Sequence, residues 1–252
     1  MKAKLLNISD PNHAKTMAEI MFSGGIVGAI WGHHLYFLAC NACDAKAVSR
    51  MNKLKGRPKD QVFASPGAVE EAEEFGDLEK SRALVSTAKK MHLSPKKYLE
   101  FLYKKFPLAV ELFAKKSAPN SVVFATSSGK TIWIAGHMAD KSYSKFLEYV
   151  RNLRKSGKKI VFAGTSLNLK GDNTLTVKEF DKVVSYFGEK IDAIAKHPND
   201  SLKKLRYSTS SSAISFIGTK PKLLRLGCSS LSILKKYIPD LQIPYKLNTT
   251  RR

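Results

Sequence analysis

Residues 51–65 read MNKLKGRPKDQVFAS, a stretch that joins a cluster of charge to an apolar run that predicts a strand. Lys55 and Arg57 stand two positions apart just before that predicted strand. In a strand or an extended loop, residues two apart point to the same side of the backbone, so both cations would face one spot. The pattern indicates an anion site, and a triphosphate suits two adjacent charges of which one is an arginine that can hold two oxygens. A solvated basic turn is the alternative interpretation.

Two further polar loops have the composition of anion sites. The loop TSLNLKG at 165–171 follows a predicted buried strand, and hydroxyl and amide groups at the end of a strand can hold phosphate or ribose. Ser166 and Asn168 are its candidate ligands, and a plain loop rich in turn formers is the alternative. The stretch from Ser208 to Arg225 places a serine cluster before one predicted strand and the arginine near the end of the next. We expect these distant loops to meet in one cavity of positive charge.

The charge of the chain is far from balanced. Its 252 residues carry a formal charge of +22 at pH 7, with a pI near 9.9. This charge indicates a polyanionic partner, most plainly RNA or tRNA, or an anionic membrane surface, and a lysine-rich solubilising surface is the alternative. No stretch is long enough to cross a bilayer, and residues 1–15 lack the apolar core of a signal peptide. We therefore expect a cytoplasmic protein without a membrane partner.

The cysteines do not form a disulfide framework. Cys40 and Cys43 make a C-x-x-C pair, but no second pair of cysteines or histidines lies at the spacing of zinc ligands, and Cys228 stands alone. We expect small buried residues rather than a metal or redox site, so no protein-held metal is predicted.

Capping and turn signals divide the chain into alternating helices and strands. Helices are predicted over 10–23, 44–51, 65–75, twice between 79 and 106, and over 141–156, 176–187 and 229–237. Strands are predicted over 26–30, 34–38, 61–65, 121–126, 130–135, 159–164, 191–196, 213–217 and 222–226. The irregular order and the hairpins favour a mixed, twisted α/β sheet flanked by helices, in one domain over 1–240 with a short tail over 241–252.

Taken in order, the motifs resemble those of the YrdC-like family, the threonylcarbamoyl-AMP synthases. The resemblance runs from about Asp10 to Tyr237 and starts with the Gly-Gly-Ile-Val of residues 24–27. The family's Lys-Gly-Arg-Pro signature is present at residues 55–58, and its Ser-x-Asn loop is present at residues 166–168. The later serine strand and Leu-Arg signature correspond to residues 211–213 and 224–227.

The resemblance implies an α/β fold around a large positively charged cavity. In that cavity, ATP, bicarbonate and L-threonine would be joined into threonylcarbamoyl-adenylate with release of pyrophosphate, for modification of adenosine 37 in tRNA, and Mg²⁺ would accompany the ATP. Lys55 and Arg57 would be the catalytic residues. The residues that would hold the nucleotide and its phosphates are Lys55, Arg57, Ser166, Asn168, Thr176 and Arg225. The amino acid would be held by His34 and Ser211.

The amino-acid side of the motif departs from the family pattern. Residues 31–34 read Trp-Gly-His-His where the family has Pro-Thr-(Asp/Glu)-Thr, and Trp133 stands at the place of a family arginine. His33 and His34 would point to opposite faces of a strand, so one ring would face the cavity. Two interpretations stay open: a synthase with a changed acceptor preference, or a YrdC-like protein that has lost this activity and binds RNA or tRNA. The sequence does not indicate the oligomeric state.

Overall fold

The computed structural model describes residues 2–31, 35–137, 141–168, 175–197, 210–245 and 248–249. The chain divides into two compact units, the first over Met1–Phe63 and Asp140–Ser208 and the second over Ala64–Ala139 and Thr209–Arg252. Each unit has its own sheet and its own helices. The predicted domain over 1–240 with a tail over 241–252 stays a prediction.

The described residues form the following elements. In chain order, the strands are β1 (Lys4–Asn7), β2 (Val27–Trp31), β3 (Leu35–Asn41), β4 (Ser65–Pro66), β5 (Gly76–Asp77), β6 (Leu108–Ala114), β7 (Val123–Thr126), β8 (Gly129–Gly136), β9 (Phe162–Ser166), β10 (Ala193–Lys196), β11 (Ser212–Ser215), β12 (Lys222–Leu226) and β13 (Asn248–Thr249). The helices are α1 (His13–Phe22), α2 (Ala45–Leu54), α3 (Val69–Phe75), α4 (Arg82–Lys90), α5 (Pro95–Lys105), α6 (Lys141–Lys155), α7 (Phe180–Phe187) and α8 (Leu231–Tyr237). Short 3₁₀ turns lie at Asn120–Val122 and Val177–Glu179.

The sheet of the first unit has the strand order β1-β10-β2-β3-β9. Strands β1, β10 and β2 run parallel, whereas β3 pairs antiparallel with both β2 and β9. Helix α6 has a buried apolar stripe at helical spacing, formed by Tyr143, Phe146, Leu147 and Val150. Phe146 meets Phe162 of β9 edge to face, with ring centroids 4.6 Å apart, so α6 covers this sheet.

The sheet of the second unit has the strand order β13-β12-β11-β6-β8-β4, with β5 added to β6 and β7 added to β8. One face of β6 and β8 is fully buried and consists of Leu108, Val110, Leu112, Ile132 and Ile134. Helix α5 lies on this face, since the hydroxyl of buried Tyr103 donates to the carbonyl oxygen of Ile134 at 3.1 Å. The predicted mixed α/β class is confirmed, with the strands divided between two sheets.

Several predicted elements are confirmed by their caps. Asp44 caps α2 by accepting hydrogen bonds from the main-chain N–H groups of Lys46 and Ala47. Ser94 caps α5 and is followed by proline at the first helical position. The predicted hairpin is present as β7 and β8, which pair antiparallel.

The prediction for residues 61–75 is wrong in two respects. Residues 61–63 are not in a strand, and Ser65-Pro66 does not begin a helix but forms β4, which pairs in parallel with β8. A proline is tolerated there because β4 ends the strand order of its sheet, where one N–H is not needed for pairing. Helix α3 begins at Val69. Strands β1 and β6 are additions that the pattern did not predict.

Candidate functional site

The turn that carries Lys55 and Arg57 follows the end of α2. Lys55 is the C-cap residue of that helix, with φ −88° and ψ 0°. Gly56 then adopts φ +60°, a left-handed conformation that favours glycine over other residues. The predicted extended segment before a strand is therefore wrong, although the two cations remain close enough for the charge of Arg57 to act on Lys55. They belong instead to a helix-terminating turn.

Asn52 fixes the geometry of this turn. Its side chain is fully buried, and Nδ2 donates to the carbonyl oxygens of Lys59 at 3.0 Å and Gln61 at 2.9 Å. The main-chain carbonyl oxygen of Asn52 accepts a hydrogen bond from the main-chain N–H of Arg57 at 3.0 Å. The guanidinium carbon of Arg57 lies 5.7 Å from the centroid of the Phe63 ring, in a cation–π contact. The half-buried arginine thus lies on a turn whose main chain is fixed by the hydrogen bonds of Asn52.

Lys55 joins this turn to the loop after β9. The side chain is only 6% exposed, and Nζ donates to the carbonyl oxygens of Ser166 at 2.9 Å and Asn168 at 2.5 Å. It also donates to Asn168 Oδ1 at 2.9 Å, and Ser166 Oγ donates to that same oxygen at 2.7 Å. Since Oδ1 accepts both bonds, the amide N–H₂ of Asn168 faces away from the ammonium. The two signatures that are separated in sequence therefore meet as one hydrogen-bonded cluster.

The electrostatics of the cluster favour an anion. Burial, and then the positive charge of nearby Arg57, lower the pKa of Lys55 to about 8. Burial also lowers the pKa of Arg57, whose guanidinium nevertheless keeps its proton in proteins. At neutral pH the turn thus holds two positive charges. The three donors of Lys55 are all matched by protein oxygens, whereas the Arg57 side chain donates no hydrogen bond to another described residue.

Thr176 lies at the start of the 3₁₀ turn that leads into α7. Its hydroxyl and its main-chain N–H donate to Glu179 Oε2 at 3.1 and 3.0 Å, in a capping box. Its main chain forms a bridge with Leu35 at the start of β3. The hydroxyl thus has a structural partner, and phosphate binding by Thr176 stays a prediction.

Arg225 and Ser211 come together in the second unit. Nε and Nη2 of Arg225 donate to the carbonyl oxygen of Ser211 at 3.2 and 3.0 Å, and Nη2 lies 3.5 Å from Ser211 Oγ. Burial lowers the pKa of Arg225. Gly227 closes the same corner, because a Cβ there would stand 2.2 Å from the carbonyl oxygen of Ser210. Of the other predicted site residues, His34 lies outside the described residues, as does His33.

Two functional candidates were not predicted from the sequence. Asn52 has a polar side chain on the buried face of α2, beside Val48 and Met51, and that mismatch with an apolar face was the available signal. Glu111 is a buried carboxylate within the apolar run LAVELFA of β6, and its isolation in that run was the signal.

The C-x-x-C pair does not gather two thiolates. Cys40 is buried in β3 and Cys43 is exposed, and burial raises the pKa of Cys40 to about 12. Within the described ranges, no group of three or more His, Cys, Asp or Glu side chains is placed to hold a metal ion. Within the same ranges, no helix has both the length and the apolar character needed to span a membrane. The cytoplasmic location stays a prediction.

Comparison with solved structures shows what the fold is similar to. Sua5 of P. abyssi complexed with L-threonine matches 97% of this chain with a TM-score of 0.70 and 21% identity. E. coli YciO matches 94% of this chain and 98% of its own, with a TM-score of 0.65 and 14% identity. HypF in a phosphate- and nucleotide-bound form matches 85% of this chain and 29% of its own, with a TM-score of 0.56 and 18% identity. At these identities the likeness shows the fold alone.

The match to Sua5 covers less than two thirds of that protein. The chain spans 63% of the Sua5 chain solved with L-threonine and 65% of a second Sua5 chain. A search of curated protein sequences gives no significant match. A family model described as telomere recombination, that of Sua5, YciO and YrdC, matches residues 19–227. The chain therefore belongs to the Sua5/YciO/YrdC family, which confirms the resemblance drawn from its motifs.

Proposed function

We propose that this protein is an ATP-dependent synthase that forms a carbamoyl-adenylate from ATP, bicarbonate and an amino acid. L-Threonine is the amino acid that the resemblance implies, and the product would serve the modification of adenosine 37 in tRNA. The observation that carries the proposal is the cluster of Lys55, Ser166 and Asn168 beside Arg57. It brings together both signatures that the resemblance assigns to the nucleotide phosphates.

The reaction needs positive charge more than it needs a base. The neutral amine bonds to the carbon of bicarbonate and water leaves, which gives a carbamate. A carbamate oxygen then attacks the α-phosphorus of ATP, the bond from that phosphorus to the pyrophosphate oxygen breaks, and pyrophosphate leaves. Attack by one anion on another is favoured by cations fixed in advance around the phosphates.

The residues of the cluster divide these tasks. Arg57 would donate two N–H groups to phosphate oxygens, since no acceptor among the described residues forms a hydrogen bond with its guanidinium. Lys55 would add positive charge near the phosphates and keep the Ser166–Asn168 loop in place. Asn168 would hold that loop to Lys55 through both of its oxygens.

Mg²⁺ supplies positive charge to nucleotide phosphates when it is bound. The described residues do not contain a group of three acidic, histidine or cysteine side chains that fits such an ion. The ion is therefore expected to arrive on the phosphate oxygens of ATP, and no protein ligand for it is proposed.

The solved relatives support both halves of the proposal. The P. abyssi Sua5 structure contains L-threonine, which supports an amino-acid substrate on this fold. The HypF structure contains phosphate and a nucleotide, which supports a nucleotide substrate.

Pyrophosphate release tests the proposal. The protein is incubated with ATP, bicarbonate and L-threonine, and each of the three is omitted in turn as a control. Release that depends on all three is expected, and Arg57→Ala is expected to reduce it by about a hundredfold, as for loss of one charged transition-state contact. The matched control is Lys59→Ala, an exposed cation on the same turn. Release that is equal in Arg57→Ala and in Lys59→Ala would refute the proposed site.

RNA binding is a second candidate function, favoured by a group of lysines and aromatic rings in the second unit. The ammonium of Lys105 lies 5.5 Å from the Phe101 ring centroid and 5.7 Å from that of Tyr237, and the ammonium of Lys236 lies 5.6 Å from the Tyr237 ring. Such a pairing of cations and rings suits a single-stranded nucleic acid. Affinity for a tRNA should fall steeply with salt and should weaken in a Lys105→Ala, Lys236→Ala double variant. Lys104→Ala is the control, since Lys104 is paired with Glu100.

A further inference from the structure

One face of the sheet in the second unit carries a row of polar and aromatic residues, of which Glu111 and Ser215 are buried. In β8, Ile132 and Ile134 are buried on the helix side, whereas Trp133 and Ala135 of the opposite face are partly buried. Residues paired across neighbouring strands share a face. Ser215 pairs with Glu111 and Glu111 pairs with Trp133, so these three side chains form a row across β11, β6 and β8.

Glu111 is a carboxylate without a counter-ion in the described part of the chain. Its side chain is 7% exposed, and its one hydrogen-bond partner among the described residues is the hydroxyl of Thr131, which donates to Oε1 at 3.1 Å. Within those residues no lysine, arginine or histidine forms an ion pair with it. Burying an ionised carboxylate is costly unless a cation or several donors compensate it. Among the described residues, the second oxygen, Oε2, has no hydrogen-bond partner.

Two aromatic residues lie on the same face as Glu111, in the neighbouring strands β8 and β7. Trp133 is directly opposite Glu111 in the antiparallel pair of β6 and β8. Phe124 of β7 lies next to the indole, with ring centroids 5.8 Å apart and an interplanar angle of 39°. A carboxylate combined with aromatic faces is a favourable environment for an organic cation, which gains both charge pairing and contact with the π-systems.

We infer that Glu111 and Trp133 form a subsite for a cationic group of the substrate, an ammonium or a guanidinium. Arg225 lies in β12 of the same sheet, and β11 separates β12 from β6. Its positive charge could pair with the carboxylate group of a bound amino acid. The face therefore suits an amino acid whose side chain is cationic, with L-lysine and L-ornithine as representatives. Binding of such an amino acid does not depend on the proposed function. Only its conversion to a carbamoyl-adenylate rests on the proposed function.

Ligand binding tests the inference without any turnover. The chain has two tryptophans, Trp31 and Trp133, so a Trp31→Phe variant leaves one fluorophore at the subsite. It is titrated with L-lysine, L-ornithine, L-threonine and L-norleucine, the last being an uncharged analogue of lysine with a similar side-chain length. We expect the two cationic amino acids to bind at least about tenfold more tightly than norleucine, as expected for one charge-assisted contact.

Substitutions at the subsite decide whether Glu111 causes that preference. Glu111→Gln keeps the shape and removes the charge, and it should abolish the preference for lysine over norleucine. Thr131→Val keeps the charge and removes the hydroxyl partner, and it should retain most of the preference. Circular dichroism and a melting curve check that both variants are folded. Equal affinity for lysine and norleucine, or a preference that survives in Glu111→Gln, overturns the inference.

The two proposals fail separately. If pyrophosphate is released with L-threonine while lysine binding does not depend on Glu111, the proposed function stands and the subsite is wrong. If lysine binds through Glu111 and no amino acid supports pyrophosphate release, the subsite stands and the synthase is wrong.

Discussion

The ammonium of Lys55 donates to both oxygens of Asn168, the main-chain carbonyl and the side-chain carbonyl, across 113 positions of sequence. This relationship changes the role expected of the lysine. A cation whose three donors are used by the protein holds the Ser166–Asn168 loop in place as well as supplying charge.

Lys55→Met is expected to destabilise the first unit. The methionine fills a similar volume but leaves the oxygens of Ser166 and Asn168 without their donor, at a cost of about 2–3 kcal/mol in the free energy of unfolding. Denaturant titration measures this loss. Lys53→Ala, an exposed lysine on the last turn of the same helix, is the control and should change stability by less than about 0.5 kcal/mol. Equal stability of the two variants would contradict the buried role of Lys55.

Nucleotide affinity is expected to fall as the pH rises through about 8. The pKa of Lys55 is lowered to about 8, so the ammonium loses its proton there, well before an ordinary lysine does. Loss of the charge weakens the attraction for phosphate, which means that affinity is high below this pH and lower above it. ATP titrations between pH 6.5 and pH 9.5 measure the effect. Lys55→Arg stays charged and should show a flat profile over this range.

Arg225 is expected to need the planar geometry of its guanidinium. Both Arg225→Ala and Arg225→Lys should lower pyrophosphate release by about tenfold or more, because lysine does not reproduce two donors to one carbonyl oxygen. The control is Lys222→Ala, an exposed cation on the same strand. Full activity of Arg225→Lys would mean that charge alone is required.

Gly227 is expected to tolerate no side chain. A Cβ at this position would stand 2.2 Å from the carbonyl oxygen of Ser210, so Gly227→Ala should cost about 3 kcal/mol. Gly56→Ala is the matched comparison, because nothing lies within 4 Å of its Cβ position and only the left-handed conformation is strained, at roughly 1 kcal/mol. Thermal unfolding of both variants checks the order. A smaller loss in Gly227→Ala than in Gly56→Ala would show that the corner can relax.

The three cysteines are expected to differ in reactivity at pH 8. Cys43 is exposed, whereas burial raises the pKa of Cys228 to about 11 and that of Cys40 to about 12. Because the thiolate is the reactive form, iodoacetamide should modify Cys43 first and Cys40 last. Mass spectrometry of the native protein follows the order, and the denatured protein is the control in which all three react. Early modification of Cys40 would contradict its burial.

Much of the fold follows from local signals. The Asp44 and Ser94 caps, the β7–β8 hairpin and β12 depend on neighbours in sequence, and each was predicted close to its observed bounds. Strand β1 has a single buried residue, Leu6, and pairs with β10, in which Ala193 is the partner of Lys4, so its four residues carry no local signal. Strand β6 is an apolar run interrupted by a glutamate, a pattern that fits no simple period.

The candidate site was predictable in its composition but not in its contacts. The signatures named Lys55, Ser166 and Asn168, and the structure brings these three together. The extended backbone expected around the two cations was wrong, because Gly56 turns the chain after the helix instead of letting it extend. Such a turn depends on Asn52 and its bonds to Lys59 and Gln61, which no spacing rule reports.

The bonds of Asn52 have a kinetic consequence for Arg57. The peptide segment around the arginine gives up its conformational entropy when the protein folds, not when a ligand arrives. An incoming anion thus meets an arginine on a turn that is already ordered, so binding requires little reorganisation of the main chain. Asn52→Ala removes the bonds to Lys59 and Gln61. It should therefore lower the association rate constant for an anion by a larger factor than it changes the dissociation rate constant.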